Sequence, residues 1–519
     1  MQRFIQRFSD KIIGVLSGFD RLVLRGSLRS ISYTRKKKGF EAFLWLHHIL
    51  LKDFGPYVER VSKAVKAASC QAAVAQHRPI VYLPSCNIDK EKEAKKVAAQ
   101  DHITEGLIAN ITCVEPCKSF KVGPNPETKN LEVSAVERRC LHVYHYLIDP
   151  EFGWINARIQ TWFPFQIQIC FNGRRWLARQ MDKAGLQYEQ LDNCFPWIEN
   201  FEKAQELMNE QLRTRWESKL QRFVRMLNPI HDEIFEKFPI RYYWSVYESE
   251  WASDLAFKSH AALAAIFPAL ALHAVTTFSS GDVMRFLGRK VHGCFKGEIV
   301  TDFKDRPEGI RVKHRVDKNA LKIYDKFGRV LRAECTINNT RDFKVFRRKE
   351  NDPRGKPKWL RLRKGVADLH RRCQISQAAN ERYLDALSAA DTSTPMGELL
   401  HSICKPTTYN GKRIRPLRPW AQDDLELLRT VNRGEFTVNG FRNRDLQSFL
   451  FKGTAVSTKE KQRRSARVSR LLRLLRAHHL IKKVPSTYRY VLTAKGSQII
   501  AAVLTAQRIT LEQLNRLAA

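Results

Sequence analysis

The residues with the clearest chemical potential lie in one basic stretch, residues 309–339. Within it, Tyr324 stands two residues from both Lys322 and Lys326, and Glu334 follows ten residues later. A phenol can attack a phosphodiester, and neighbouring cations stabilise the phenolate and lower the pKa of a tyrosine from about 10. A carboxylate can hold a divalent cation that neutralises the phosphate. Tyr324 and Glu334 are therefore the candidate catalytic residues.

Three carboxylates of this region are candidate ligands for Mg²⁺ or Mn²⁺: Glu334, Asp302 and Glu298. Oxygen donors of this kind suit both ions. A metal with a tyrosine nucleophile would support DNA nicking. The alternative is non-catalytic, with Glu334 paired to a neighbouring cation on a sheet that only binds nucleic acid.

Alternation along the chain places these groups on a predicted three-stranded sheet. Residues two apart on a strand share a face, so the stretch separates an apolar face from a basic one. The apolar face is predicted to carry Ile310, Val312, His314, Val316, Leu321, Ile323, Leu331, Ala333, Cys335 and Ile337. The predicted nucleic-acid contacts of the basic face are Arg311, Lys313, Arg315, Lys322, Lys326 and Arg332. We expect the first face to pack on a core and the second to meet a polyanion.

The composition favours a folded protein that binds nucleic acid. The chain has 519 residues, with 90 Lys+Arg against 53 Asp+Glu, a formal net charge of +37 and 43% hydrophobic residues. The hydrophobic fraction allows packed cores, and the positive excess indicates nucleic acid. Since no run of about 18 apolar residues and no signal-peptide pattern is visible, we expect a cytoplasmic protein that does not span a membrane. DNA is the expected partner, and RNA stays open because basic sheets with aromatic residues also suit single strands.

Neither the cysteines nor the histidines predict a metal centre. The eleven cysteines are scattered, and the pair Cys113 and Cys117 has no matching second pair, so reduced cysteines are expected. His142 and His145 are three apart on a predicted strand and would point to opposite faces. This spacing excludes the paired-histidine site of the common rolling-circle nucleases. A nearby aromatic cluster is predicted to be core rather than a base-stacking surface; its members are Trp154, Trp162, Phe163, Phe165 and Phe171.

Changes of pattern divide the chain into five regions, and the predicted fold class is α+β. Residues 1–197 are predicted to form an α+β domain with antiparallel strands, and residues 198–290 a mostly helical region. Residues 291–391 hold the basic sheet and a following helix, and residues 392–420 form a basic connector. Residues 421–519 show the order helix, helix, basic helix, β-hairpin and helix. Antiparallel sheets with packed helices, in several domains, are therefore expected.

The C-terminal region carries the most specific pattern. Its third helix has an apolar stripe and an arginine-rich outer face, and the sequence LIKKV followed by YRYVLTAKG predicts a hairpin. This order resembles the winged helix-turn-helix domains of MarR-like regulators. The resemblance implies that the third helix reads the major groove while the wing contacts phosphates or the minor groove. The implied DNA contacts are Arg463, Arg464, Arg467, Arg470, Lys482, Lys483 and Arg489.

Two further resemblances extend the functional expectation. Residues 298–339 resemble part of the plasmid and phage rolling-circle replication initiators that lack paired histidines, which implies a tyrosine nucleophile and a metal. The whole chain is similar to a group of bacterial proteins of similar length, which implies no function. Together these features predict a DNA-binding protein of a plasmid or mobile element, with metal-dependent nicking in replication or transposition initiation. The alternative is a non-enzymatic winged-helix transcriptional regulator whose large basic N-terminal part binds RNA, DNA or a partner.

Overall fold

A computed structural model describes residues 1–31, 38–289, 299–349, 352, 354–390, 396–433, 436, 440–451, 453, 455–485 and 487–507. The described residues form two compact units, each made of separated segments. Unit 1 lies within Met1–Val15, Ala252–Cys335 and Gln374–Ala519, and unit 2 within Leu16–Trp251 and Thr336–Cys373. Antiparallel sheet dominates and helices pack beside it, so the predicted α+β class is confirmed at this level.

The described strands vary in length, and the two longest, β3 and β4, have 19 residues each. In chain order they are β1 (Ile12–Ser27), β2 (Ile80–Leu83), β3 (Gly106–Pro124), β4 (Leu131–Asp149), β5 (Gly153–Gln160), β6 (Ile167–Asn172), β7 (Tyr188–Leu191), β8 (Cys194–Ile198), β9 (Tyr243–Phe257), β10 (Ile299–Arg306), β11 (Gly309–Val316), β12 (Asn319–Lys326), β13 (Val330–Ile337), β14 (Lys344–Arg347), β15 (Lys358–Arg361), β16 (Thr407–Tyr409), β17 (Lys412–Ile414), β18 (Ile481–Lys483) and β19 (Tyr490–Leu492).

The helices are mostly short and lie between or after the strands. In chain order they are α1 (Gln2–Arg7), α2 (Lys38–Leu46), α3 (Phe54–Ala75), α4 (Lys90–Gln100), α5 (Gly173–Lys183), α6 (Phe201–Asn209), α7 (Trp216–Leu227), α8 (His231–Ile234), α9 (His260–Ala264), α10 (Phe267–Thr276), α11 (Ser280–Phe286), α12 (Leu369–Leu387), α13 (Met396–His401), α14 (Gln422–Val431), α15 (Asn443–Leu450), α16 (Thr458–Ala477) and α17 (Ala494–Ala506). No single described helix is long and apolar enough to cross a membrane. Only a pair of helices taken together has that length and apolar composition, and the pair is bent by 113° between His260–Val275 and Ser280–Phe286.

Unit 2 is built on a sheet whose strand order is the first part of β9, then β1, β6, β5, β4, β3 and β2. The β2–β3 pair is parallel, whereas β1–β6, β3–β4, β4–β5 and β5–β6 are antiparallel. One face packs against a large aromatic core, in which Phe40 stacks on Phe120 with ring centroids 4.3 Å apart. Phe163, Phe165 and Phe171 are buried in that core, so these rings of the predicted aromatic cluster are structural.

Residues 106–149 form two long strands, β3 and β4, that pair over almost their full length. One predicted element is wrong: the region 198–290, predicted to be mostly helical, contains a long strand, β9, at residues 243–257. Its first half alternates as a strand should, with Trp244 and Val246 buried and Tyr247 exposed. Aromatic and β-branched residues favour a pleated surface, and tertiary pairing overrides the weak helical pattern of this segment.

Unit 1 contains the basic stretch up to Cys335, and the three predicted strands of this stretch are confirmed. The strand order is β10, β11, β12, β13 and then the last part of β9. Helix α12 packs on the apolar face, where Asn380 Nδ2 donates to the Ala333 carbonyl oxygen at 3.0 Å. The backbone N–H of Arg3 in α1 donates to Asp385 Oδ1 on α12 at 3.1 Å, which ties the first segment of this unit to its last.

A second core of unit 1 holds its C-terminal part together. The described side chains of α14, α15, α16, β18, β19 and α17 all contribute to it. Leu428, Leu446, Leu475 and Ile500 are each completely buried there. These helices and the β18–β19 hairpin therefore form one packed body.

The buried imidazole of His314 makes the stability of unit 1 depend on pH. Its Nδ1 lies 2.9 Å from Thr301 Oγ1 and its Nε2 lies 2.9 Å from the Tyr383 hydroxyl oxygen. Burial lowers the pKa of His314 to about 4. Since the unfolded chain binds this proton near pH 6.5, the folded state keeps the full contribution above that pH and loses it as the pH falls toward 4.

We expect the free energy of unfolding to decrease from pH 6.5 to pH 4, by at most about 1.4 kcal/mol per pH unit for each such histidine. His314→Gln should flatten this profile when urea denaturation is followed at several pH values. The exposed His401 offers a control, because His401→Gln should leave the profile unchanged. A profile as steep in His314→Gln as in the unaltered chain would contradict the assignment.

Candidate nucleic-acid interface

The basic helix α16 is fixed at its start by a cap and along its length by an apolar stripe. Ser457 Oγ accepts a hydrogen bond from the Glu460 backbone N–H at 3.2 Å, which satisfies one of the free donors of the first turn. Val468, Leu472 and Leu475 recur at spacings of three and four and are buried in the C-terminal core. Burial of this stripe turns the opposite side of the helix to solvent.

The outer face of α16 carries four exposed arginines: Arg463, Arg467, Arg470 and Arg473. Their spacings of four, three and three residues put them on one side of the helix, over roughly 15 Å. Arg470 and Arg473 form no ion pair with any residue that the structure describes. Arg467 lies 4.0 Å from the exposed Asp423, a distance and exposure at which an ion pair contributes little. The face is thus open to an anion.

Arg464 occupies a different position from its predicted role. Its Nε and Nη2 donate to Glu460 Oε1 at 3.0 and 2.5 Å, and its Nη1 donates to the Gly453 carbonyl oxygen at 2.8 Å. The pKa of Glu460 is lowered by the Val456 backbone N–H and by Arg464. The structure therefore uses Arg464 to hold the start of α16 and keeps it off the outer arginine face.

The β18–β19 hairpin presents the cations predicted for a wing. Lys482 pairs with Val491 and Lys483 with Tyr490 across the hairpin, and both lysines are exposed. Arg489 is half-buried. The sequence interpretation missed Tyr488, whose side chain is 85% exposed and whose ring lies 5.7 Å from Lys483 Nζ. An aromatic residue in the turn of a lysine-rich hairpin is the signal that could have identified it.

The central sheet of unit 1 has the two faces that alternation predicts. Arg311 pairs with Tyr324 and Lys313 with Lys322 across β11 and β12, so their side chains share one face. The apolar side chains of these strands lie on the other; Val312, for example, is completely buried.

The basic face of this sheet is mostly buried, and the expectation that it meets a polyanion directly is wrong for four of its six cations. Those four, Arg311, Lys322, Lys326 and Arg332, are each less than 10% exposed. Lys313 is half-buried, and Arg315 is exposed. Alternation reveals which side chains share a face, but the solvent accessibility of that face depends on what packs over it.

Carboxylates of the same unit neutralise three of these cations. Arg332 Nε and Nη2 donate to Asp254 Oδ1 and Oδ2 at 2.6 and 2.8 Å. Lys322 Nζ is in direct contact with Glu334 Oε1. Arg311 Nη2 lies 3.0 Å from Asp302 Oδ1 at the β10 edge. Buried charges persist only when paired in this way, because an isolated ion would lose its hydration.

These ion pairs affect the two predicted catalytic residues differently. Tyr324 is half-buried, and its ring centroid lies 6.0 Å from Lys322 Nζ and 5.9 Å from Lys326 Nζ, so the predicted cations do flank it. Glu334, however, is already occupied by Lys322.

The structure does not bring the predicted metal ligands together. Asp302 is on β10 and Glu334 on β13, three strand spacings or about 14 Å apart across the sheet. Side chains of this length cannot bridge that gap to one ion with bonds of about 2–2.6 Å. Glu298 lies outside the described residues. A Mg²⁺ or Mn²⁺ ion at Glu334 stays a prediction, and such an ion would lie beside the Lys322 ammonium that contacts Glu334 Oε1.

The remaining histidine and cysteine candidates are structural. His145 is fully buried with its Nε2 2.9 Å from Ser69 Oγ, and His142 Nδ1 lies 3.1 Å from the Cys140 carbonyl oxygen. Burial lowers the pKa of each imidazole to about 4. The described cysteines are all unpaired thiols, as expected.

Comparisons with known proteins add nothing to this geometry. No protein-family model, curated protein or solved structure matches the chain. The functional inference therefore depends on the arrangement of the described residues.

We expect the Arg332–Asp254 pair to be essential to the stability of unit 1. Asp254→Ala should lower the free energy of unfolding by about 3–5 kcal/mol, because it leaves a buried guanidinium without its carboxylate. Joint replacement, Asp254→Leu with Arg332→Met, should cost much less, because it removes both charges together.

Urea denaturation of the intact chain measures both effects. Arg315→Ala removes an exposed arginine from the same sheet and should change stability by less than about 0.5 kcal/mol. Equal losses for the single and joint replacements would contradict an electrostatic role and would indicate packing alone.

Proposed function

We propose that this chain is a DNA-binding protein that recognises duplex DNA through its C-terminal part, folded as a winged helix. The observation that carries the proposal is the outer face of α16. There Arg463, Arg467, Arg470 and Arg473 are exposed side by side on a helix whose opposite side is buried. Arginine forks bind guanine edges and phosphates, and an α-helix fits the major groove of B-DNA.

The order and pairing of the C-terminal elements support a winged helix. Three helices, α14, α15 and α16, precede the β18–β19 hairpin. Phe441, between α14 and α15, exchanges backbone hydrogen bonds with Tyr490 at 2.8 and 2.7 Å and so adds a single-residue β-bridge to the hairpin. With α16 in the groove, the wing lysines Lys482 and Lys483 would reach the flanking phosphates.

The high net charge supports the same proposal at long range. A formal charge of +37 attracts DNA without regard to sequence and makes the affinity strongly dependent on salt. Since most cations of the central sheet are buried, the nonspecific attraction comes from other surfaces of the chain. Site preference is then assigned to the few arginines that can reach base edges.

We expect the pair of substitutions Arg467→Ala and Arg470→Ala to abolish site preference while leaving salt-sensitive, nonspecific binding. The preferred site is first selected from random duplexes with the intact chain. Competition between that site and an unrelated duplex then measures the preference. Each lost arginine–guanine contact removes about 1–3 kcal/mol of discrimination.

The matched control removes two exposed arginines elsewhere in unit 1, by Arg306→Ala and Arg315→Ala. This control changes the net charge equally and should keep the site preference. If the α16 variant retains full preference, α16 is not the recognition helix.

A second candidate activity, nicking by a plasmid or mobile-element initiator, is favoured by one observation. Tyr324 retains some exposure and has two lysine ammonium groups about 6 Å from its ring. Such an environment suits a phenolate nucleophile. The reaction would also need a divalent ion, for which Mg²⁺ and Mn²⁺ are the candidates.

We expect the chain, with Mg²⁺ or Mn²⁺, to relax supercoiled plasmid that carries its selected site, and Tyr324→Phe to abolish that relaxation. Tyr82→Phe changes an exposed tyrosine of unit 2 and serves as the control. Relaxation at an unchanged rate in Tyr324→Phe removes this residue from the mechanism. Site-specific binding without relaxation under either ion would favour the non-enzymatic regulator.

A further inference from the structure

The β14–β15 hairpin of unit 2 exposes an aromatic pair on a basic surface. Phe346 and Trp359 face each other across the hairpin, with ring centroids 5.5 Å apart. They are 57% and 58% exposed, whereas Val345 on the other face is buried. Exposed aromatic rings in register on a hairpin are unusual in a packed unit, because each leaves a large apolar area in water.

Cations surround the two rings. Lys344 and Arg361 form the neighbouring cross-strand pair on the same face, and both are exposed. Arg371 lies with its guanidinium carbon 5.6 Å from the centre of the Trp359 ring, and its Nε donates to the Lys344 carbonyl oxygen at 3.1 Å. Residues 341–364 contain eleven Lys or Arg and three Asp or Glu. The hairpin face therefore combines exposed rings with a strong positive field.

We infer that this hairpin face is a binding site for single-stranded nucleic acid, in which bases stack on Phe346 and Trp359 while phosphates lie along Lys344, Arg361 and Arg371. A single strand offers free base faces and a chain of phosphates, the two features that this surface complements. The rings are tilted by 55° with their centroids 5.5 Å apart, too close for a base to enter between them, so bases would stack on the outer ring faces. A duplex keeps its bases stacked inside, and insertion of a ring would cost a few kcal/mol per step.

This site goes beyond the proposed function, because it lies in unit 2 and takes a different ligand from α16. Separation of two strands exposes single-stranded DNA, and RNA offers the same rings and phosphates. Positive charge all around the pair disfavours an apolar protein partner, since burial of the rings would desolvate those cations without a counter-charge.

The test uses the intact chain and the double variant Phe346→Ala with Trp359→Ala. Fluorescence anisotropy is measured with labelled 20-nucleotide oligothymidylate, oligouridylate and a 20-base-pair duplex. We expect the double variant to bind single strands about 10-fold or more weakly, with its duplex affinity nearly unchanged. Tighter binding of the thymidylate strand assigns the site to DNA, and tighter binding of the uridylate strand assigns it to RNA.

Controls separate stacking from charge and from folding. Trp359→Phe keeps a ring and should keep most of the affinity, and Trp45→Ala removes another exposed tryptophan of unit 2 without effect. Lys344→Gln with Arg361→Gln should instead reduce the salt dependence of single-strand binding. Unchanged single-strand affinity in the double variant, or an equal loss with the duplex, would overturn the inference.

The two DNA proposals fail independently. Arg467→Ala with Arg470→Ala should lower duplex site preference and spare single-strand affinity, whereas the hairpin variant should do the reverse. If the hairpin variant alone behaves as expected, the single-strand site stands and the α16 proposal falls; the opposite pattern leaves only the α16 proposal.

Discussion

The arrangement of unit 1 depends on the burial of its charged groups in pairs. Arg332 is 1% exposed, and the two oxygens of Asp254 offset the loss of hydration of its guanidinium. A second buried pair joins Lys322 on β12 to Glu334 on the neighbouring strand β13. These pairs favour one register of the strands, because a one-residue slip of a strand would move its charged side chains to the apolar face. The cations that suggested a nucleic-acid surface thus have a structural role first.

The strands of the central sheet could be predicted from the sequence, because a period of two is a local property of the chain. The alternating stretches of the basic segment coincide closely with β11, β12 and β13. They also place Lys313 and Lys322 on one face, as observed. The burial of that face could not be predicted, because Asp254 is nearly eighty residues from Arg332 in the sequence. The contact of Glu334 with Lys322 agrees with the non-catalytic alternative, and the role of Glu334 as a metal ligand stays a prediction.

Errors in the predicted elements have similar causes. Many residues of β9 are compatible with a helix, so the local sequence pattern predicts the wrong element. Its strand conformation depends on pairing with the neighbouring strands. Each unit combines segments that are far apart in the sequence. A boundary drawn where the composition changes along the chain therefore cannot show which distant segments pack together. The α16 stripe, in contrast, is predictable because cap, apolar period and arginine face all fall within one helix. The exposed pair on β14 and β15 is hard to predict from sequence, because the segment around it is basic and broken by proline and glycine.

The contact between α1 and α12 has a consequence for synthesis. The amide of Arg3 finds its partner in Asp385, which leaves the ribosome about 380 residues later. At the usual pace of roughly 5–20 residues per second, α1 must wait on the order of 20–75 s for its place in unit 1. Most of unit 2, Leu16–Trp251, is made before the chain returns to unit 1 at Ala252, and unit 1 is completed only by its third segment. Unit 1 therefore cannot be completed until its last segment is made, and α1 stays without its α12 partner for that time.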